Sequence, residues 1–240
     1  TLPSVREPKE GDIVVFEYPG HKDQLRPDER LPHLMLPEEF YNLNVNYVKR
    51  LIGLPGDTIE IRDKVVYING KEAPIPPYVR YYDEELSRVA AYPDVYKPFP
   101  AGQRDPNIFP SGKDWNQDNY GPLYIPKKGD VVELNIDNID QWRTIIDREF
   151  MSRVVTVRDS VIYINGEPKT SYTLKKDYFF MLGDNRDVSL DSRFWGFISR
   201  DMIVGQAFMV LFSWDRDIPF SDFFRLISSI RPERILKLLE

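Results

Sequence analysis

The apolar residues of this chain fall in short runs closed by Gly, Pro, Asn or Asp, which is the pattern of a β-rich fold. Gly11-Asp12-Ile13-Val14-Val15-Phe16-Glu17-Tyr18-Pro19 is a turn followed by a β-branched and aromatic run that proline ends, and it predicts a strand. Residues 46–53 predict a second strand, and Leu54-Pro55-Gly56-Asp57 then predicts a type II turn, because Pro and Gly suit its two central positions. A hairpin follows, 58–62 against 65–68, joined at Asp63-Lys64 and ended by Asn69-Gly70. In residues 138–150 the apolar period lengthens to that of a helix: Ile139, Trp142, Ile145, Ile146 and Phe150 share one face, and Asn138 stands as N-cap with Gln141 at the third position. Residues 202–213 read as a long buried strand. Residues 1–10 read as an extended entry, 20–44 as a long surface loop with a helical turn near 37–41, and 76–126 as irregular structure with tyrosines packed on loops.

The tail, 221–240, alternates apolar and basic residues at helical spacing, and Pro232 suits a first helical turn. Two readings stand for it: a helix docked on the body, or an amphipathic segment at a membrane surface with Arg225, Arg231, Arg234 and Lys237 toward lipid phosphates.

One unit occurs twice. Arg62-Asp63-Lys64-Val65-Val66-Tyr67-Ile68-Asn69-Gly70 matches Arg158-Asp159-Ser160-Val161-Ile162-Tyr163-Ile164-Asn165-Gly166, and Gly129-Asp130-Val131-Val132 echoes Gly11-Asp12-Ile13-Val14. The chain between the copies reads as an insertion. The expected fold is mostly antiparallel β, with a core from residues 1–73 and 171–240, a smaller inserted β-rich lobe from 74–170, and a few short helices.

Composition narrows the chemistry. The 240 residues are 42% hydrophobic and 13% aromatic, which suits a globular chain, and the net charge of −6 disfavours a nucleic-acid partner. Without cysteine there is no disulfide, thiolate nucleophile or Cys-zinc site. The two histidines, His21 and His33, lie in a Pro-rich charged segment with no accompanying motif, so acyl-transfer chemistry here needs another proton acceptor. No run approaches the roughly 18 apolar residues of a membrane span. The chain starts at Thr1 without methionine, compatible with a mature or excised portion of a longer product.

Two stretches carry candidate chemistry. Residues 183–196, Gly-Asp-Asn-Arg-Asp-Val-Ser-Leu-Asp-Ser-Arg-Phe-Trp-Gly, crowd carboxylates and guanidiniums around two serines between strongly apolar flanks. Desolvated there, the ions must pair with one another; the alternatives are a solvated acidic turn or a metal loop, the latter opposed by Arg186 and Arg193. In 46–53, alternation places Lys49 on the face of Val45, Tyr47 and Leu51. Either its stem lies along the core while the ammonium reaches water, or the amine is buried and its pKa falls from about 10.4 far enough to leave a neutral base near pH 7.

These stretches stand in one order: Gly11-Asp12-Ile13-Val14-Val15-Phe16, Tyr47-Val48-Lys49-Arg50 with Gly53-Leu54-Pro55-Gly56-Asp57, the Tyr-Ile-Asn-Gly hairpin, and the charged loop. Together they closely resemble bacterial type I signal peptidases, membrane-bound serine proteases that remove signal peptides from exported proteins. The resemblance runs from Gly11 to Ser213 apart from the insertion. It implies a Ser-Lys dyad mechanism without histidine, metal or cofactor, with Lys49 as general base and Ser189 as the hydroxyl that positions it. It implies ion pairs among Arg50, Asp184, Asp191 and Arg193 that support the site. Asn46, Tyr47 and Val48 match the segment along which an extended substrate lies as an added strand. The implied partners are signal peptides of exported preproteins and the inner-membrane lipid surface, with the catalytic domain on the periplasmic or outer side.

The chain departs from the family's pattern at the nucleophile. The family carries it in a Ser-Met-x-Pro motif ahead of the first strand motif, just after a transmembrane helix, and this sequence has none; Ser4 is followed by Val5-Arg6-Glu7-Pro8. The expectation is a chain inactive on its own whose parent is a processing enzyme. Two alternatives stand beside it: a self-cleaving regulator with a related dyad, and a non-catalytic β-rich binding homologue that kept the scaffold and lost the serine.

Overall fold

The computed structural model describes residues 6–20, 46–81, 102–211, 213, 218 and 221–239. Ser4, His21, His33, Val45, the turn expected near 37–41 and part of the tyrosine-rich stretch lie outside the described residues.

The molecule is mostly antiparallel β. Its principal sheet has five strands: β1 (Ile13–Glu17), β2 (Asn46–Gly53), and, far along the chain, the strands Tyr178–Leu182, Ile198–Ser199 and Ile203–Gln206. Between them come β3 (Thr58–Arg62), β4 (Val65–Ile68), β5 (Lys71–Glu72), β6 (Tyr120–Tyr124), β7 (Val131–Glu133), helix α1 (Ile139–Phe150), β8 (Val155–Arg158), β9 (Val161–Ile164), β10 (Glu167–Pro168) and β11 (Ser171–Thr173). The late strands are thus β12, β13 and β14, and the principal sheet runs in the order β13-β12-β2-β1-β14.

Side-chain alternation explains why this sheet has apolar residues on both faces. Phe179 and Met181 of β12, with Leu51 of β2, join Val14, Phe16, Tyr18, Trp195 and Ile198 in one cluster. Tyr178, Phe180 and Leu182 of β12, with Ile52 of β2, join a larger cluster on the opposite face. A strand covered on both faces has no solvent side, so β12 reads as the unbroken run Tyr-Phe-Phe-Met-Leu and is buried throughout. In β2 the same alternation sends Lys49 and Arg50 to opposite faces.

The sequence duplication is a structural one. β3–β4 and β8–β9 are hairpins with equivalent registers, Arg62 opposite Val65 and Arg158 opposite Val161. Both turns hold two successive residues at positive φ, Asp63 (46°) and Lys64 (72°) in one, Asp159 (48°) and Ser160 (62°) in the other, as a type I′ turn demands. The expected turn at Leu54–Asp57 also forms, with Asp57 N donating to Leu54 O at 3.0 Å and Gly56 at φ 95°. Strand β6 extends the first hairpin by pairing with β3, and β11 pairs with β7.

Three local expectations are corrected. Helix α1 buries Ile139, Trp142, Ile145 and Ile146 as its period requires, but Asn138 makes no side-chain cap. Its amide donates to Glu133 O and its Oδ1 accepts from Asn135 N, while Asn135 Oδ1 takes the amides of Asp137 and Asn138, so Asn135 organises the turn into the helix. Residues 202–213 are not one buried strand: they form the end of a 3-10 turn (Arg200–Met202), β14, and β15 (Met209–Val210). β14 is a sheet edge, and Val204, Phe208 and Leu211 are exposed. The tail is not one helix. Helix Phe223–Ser228 stops ahead of Arg231-Pro232, because the residue before proline disfavours α geometry; Pro232 opens a 3-10 turn, and β16 (Lys237–Leu238) pairs with β15.

Candidate active site

Lys49 Nζ donates to Ser189 Oγ at 2.9 Å, across 140 positions of sequence. β2 brings the lysine. The serine follows a 3-10 turn, Arg186–Val188, in the loop that leaves β12. Burial, together with the nearby Arg193, lowers the Lys49 pKa from its ordinary value, and Asp191 and Asp184 oppose the shift without cancelling it. Desolvation favours the neutral form of the amine, the form whose lone pair a general base requires.

Two carboxylate–guanidinium forks fix the loop. Arg50 Nε and Nη2 donate to the two oxygens of Asp184, each at 2.8 Å, and Arg50 Nη1 donates to Gly11 O at 2.7 Å, so one buried arginine ties β2, the charged loop and the turn ahead of β1. Arg193 Nε and Nη2 donate to Asp191 at 2.9 and 2.8 Å, and the same guanidinium reaches Arg186 O and Gln117 O. Burial alone pushes the Asp191 carboxyl up, but Arg193, Lys49 and the Gly183 amide outweigh it and hold it below the usual carboxylate range. Within the segment only Asp191 and Arg193 pair with each other; Asp184 is answered from outside it by Arg50, and Arg186 has no ion pair among the described residues, so the expected self-pairing holds for one pair alone. Lys64 Nζ adds a third contact, to Asp187 at 3.1 Å.

Four further features were not assigned to the site from the sequence. Gly183 is one: a Cβ there would overlap Ser189 Oγ and lie 2.6 Å from Ser189 Cβ and 3.4 Å from Lys49 Nζ. A glycine at a strand end beside charged residues is the signal that could have suggested such close approach. Ser192 is the second, its Oγ accepting from Met181 N at 2.9 Å and so holding the loop against β12. Trp195 is the third, fully buried and stacked at 5.6 Å and 20° on Tyr47. The fourth, Arg186, is buried on the same loop.

Asn46, Tyr47 and Val48 open β2 and pair there with Glu17, Phe16 and Val15 of β1. On the other side of β2 the register with β12 runs from Gly53 to Arg50. Asn46 is exposed and Val48 is 52% exposed, whereas Tyr47 is anchored among Phe16, Tyr18 and Trp195.

Fold and site together define a mostly antiparallel β-protein with a desolvated amine set against a serine hydroxyl on a loop braced by buried ion pairs. The chain belongs to the signal peptidase family, peptidase S26, whose family model matches residues 2–214. It is 27% identical over 223 residues to signal peptidase I of Buchnera aphidicola subsp. Schizaphis graminum, covering 90% of this chain and 57% of the relative. Over 213 residues it is 25% identical to signal peptidase I of Aquifex aeolicus, covering 88% and 65%. Over 244 residues it is 28% identical to signal peptidase I of Rickettsia akari, covering 97% and 65%. The chain thus spans less than two thirds of the length of these relatives. A crystal structure of a signal peptidase I from Enterococcus faecalis aligns at 20% identity and TM-score 0.35, covering 85% of this chain and 99% of that one.

Proposed function

We propose that this chain is the extramembrane part of a signal peptidase I that cleaves N-terminal signal peptides from exported preproteins by a Ser-Lys dyad. Family membership supports the reaction class, and the single observation that carries the mechanism is the half-buried Lys49 amine hydrogen-bonded to Ser189. The nucleophilic serine and the membrane anchor come from sequence outside these 240 residues. Lys49, neutral, takes the proton of that serine as its oxygen attacks the carbonyl before the cut. The resulting ammonium gives the proton to the leaving amine, and water, deprotonated by Lys49 in turn, releases the acyl group. Ser189 orients the amine; the Arg50–Asp184 and Asp191–Arg193 pairs hold the loop that carries it. The preprotein lies extended along Asn46, Tyr47 and Val48.

The inner-membrane surface, faced from the periplasmic or outer side, is proposed as the second partner. Phe223 and Phe224 are 60% and 86% exposed on the tail helix, and Arg225 is exposed beside them, an arrangement suited to a lipid interface. The test of the reading is cleavage of a signal-peptide substrate. The 240-residue protein is expected to be inactive; joined to an upstream segment with the family's serine motif it is expected to cleave, and Lys49→Ala is expected to abolish cleavage. Cleavage by the 240 residues alone that is lost on Lys49→Ala contradicts the supply of the nucleophile from outside.

A further inference from the structure

On the face of β2 opposite Lys49 lies a cavity of about 870 Å³, the range of pockets that enclose small ligands. Its wall is largely apolar, with Ile52, Val66, Ala73, Ile75 and Pro76 among the lining residues. Four cations also line it. Three are answered: Arg6 by Asp12, Arg50 by Asp184 and Lys64 by Asp187. The fourth is Arg186, 5% exposed, whose side chain has no hydrogen bond or ion pair among the described residues, and whose Nε is buried without a partner. The carboxylates whose charge it feels, Asp191 and Asp184, are already forked by Arg193 and Arg50. Glu10 and Asp63 line the cavity too, and neither forms an ion pair with Arg186 among the described residues.

A buried guanidinium cannot lose its proton, so its charge calls for an anion. The greasy wall around it calls for an apolar body on that anion. We propose that this cavity is a binding site for an amphiphilic anion, a carboxylate or phosphate headgroup on an apolar chain, with the headgroup on Arg186 and the chain along Ile52, Val66 and Pro76. The site stands apart from the Lys49 face and does not depend on the proteolytic reading. Ile75, 66% exposed, marks its mouth.

Calorimetric titration of the 240-residue protein with sodium octanoate, below the concentration at which it forms micelles, tests the site directly. Saturable binding is expected, with 1-octanol and octyltrimethylammonium weaker by roughly tenfold or more, the size of one charge-assisted hydrogen bond. Arg186→Gln is expected to weaken octanoate by a similar factor, and Arg186→Lys to retain most of it. Because Arg186→Gln alters a buried position, Ile75→Glu is the second variant: it is exposed, leaves Arg186 in place, and is expected to repel octanoate while Ile75→Lys does not. Octanoate that binds no better than octanol, or equally well to Arg186→Gln and Ile75→Glu, overturns the proposal. Phosphatidylglycerol vesicles, set against phosphatidylcholine, separate the sources: competition with octanoate assigns the headgroup to a lipid, and its absence with octanoate still bound assigns a free acyl anion.

Discussion

Gly183 leaves empty the space that the Ser189 hydroxyl occupies, and no other residue type at 183 lets that hydroxyl reach Lys49. The relationship is steric, so it has a direct test. Gly183→Ala forces the Ser189 side chain aside and is expected to cost about 1–3 kcal/mol, the usual range for overpacking. In a Ser189→Gly background, where the colliding atoms are gone, the same change is expected to cost little. Denaturant midpoints of the four proteins in this cycle measure the difference; additive effects contradict the account.

Asp191 and Arg193 form the most buried ion pair of the site, at 0% and 2% side-chain exposure. Asp191→Asn leaves the guanidinium uncompensated and is expected to destabilise by about 3–5 kcal/mol. The pH dependence follows from the direction of the Asp191 shift. Because its folded pKa lies below the unfolded value, its contribution is full above the ordinary carboxylate range and is lost as pH falls through the lower folded value. Urea unfolding between neutral pH and pH 2 is expected to show this acid loss in the parent and less of it in Asp191→Asn.

The two copies of the hairpin make opposite predictions at one equivalent position. Ser160, at φ 62°, is exposed and makes no side-chain hydrogen bond among the described residues, so Ser160→Gly is expected to stabilise by about 0.5–1 kcal/mol by easing the left-handed backbone. Lys64, at φ 72°, also gains backbone ease from glycine but loses its contact with buried Asp187, so Lys64→Gly is expected to destabilise. Thermal midpoints of the two variants check the signs.

Much of this was legible in the residues. The period-2 runs located β1 to β4, and the repeated Asn-Gly turns located the second hairpin. The density of charge between apolar flanks implied self-pairing at 184–193, which holds for Asp191 and Arg193 alone, since Asp184 and Asp187 are paired from outside by Arg50 and Lys64. What failed did so where tertiary context overrides local pattern. The run 202–213 is apolar enough to be buried, but β14 ends its sheet among the described residues and Val204 is exposed. The tail has helical spacing, but Arg231-Pro232 breaks it and β15 recruits its end as a strand. Gly183 escaped notice because a missing side chain shows its purpose only when the neighbour that fills the gap is known. That Arg186 has no ionic partner among the described residues is likewise a property of three dimensions.

The lowered Lys49 pKa also bears on stability. Between that lowered value and the ordinary value near 10.4, the unfolded chain binds the extra proton, so this residue's contribution to stability rises with pH across the window and levels off above it. The central claim is that the amine is uncharged where other lysines are charged. NMR titration of lysine labelled at Cε and Nζ, with the Lys49 signal assigned by Lys49→Arg, measures this directly. The account predicts one lysine titrating below the rest, and that signal missing from the variant; a Lys49 signal titrating with the other lysines near 10.4 contradicts it.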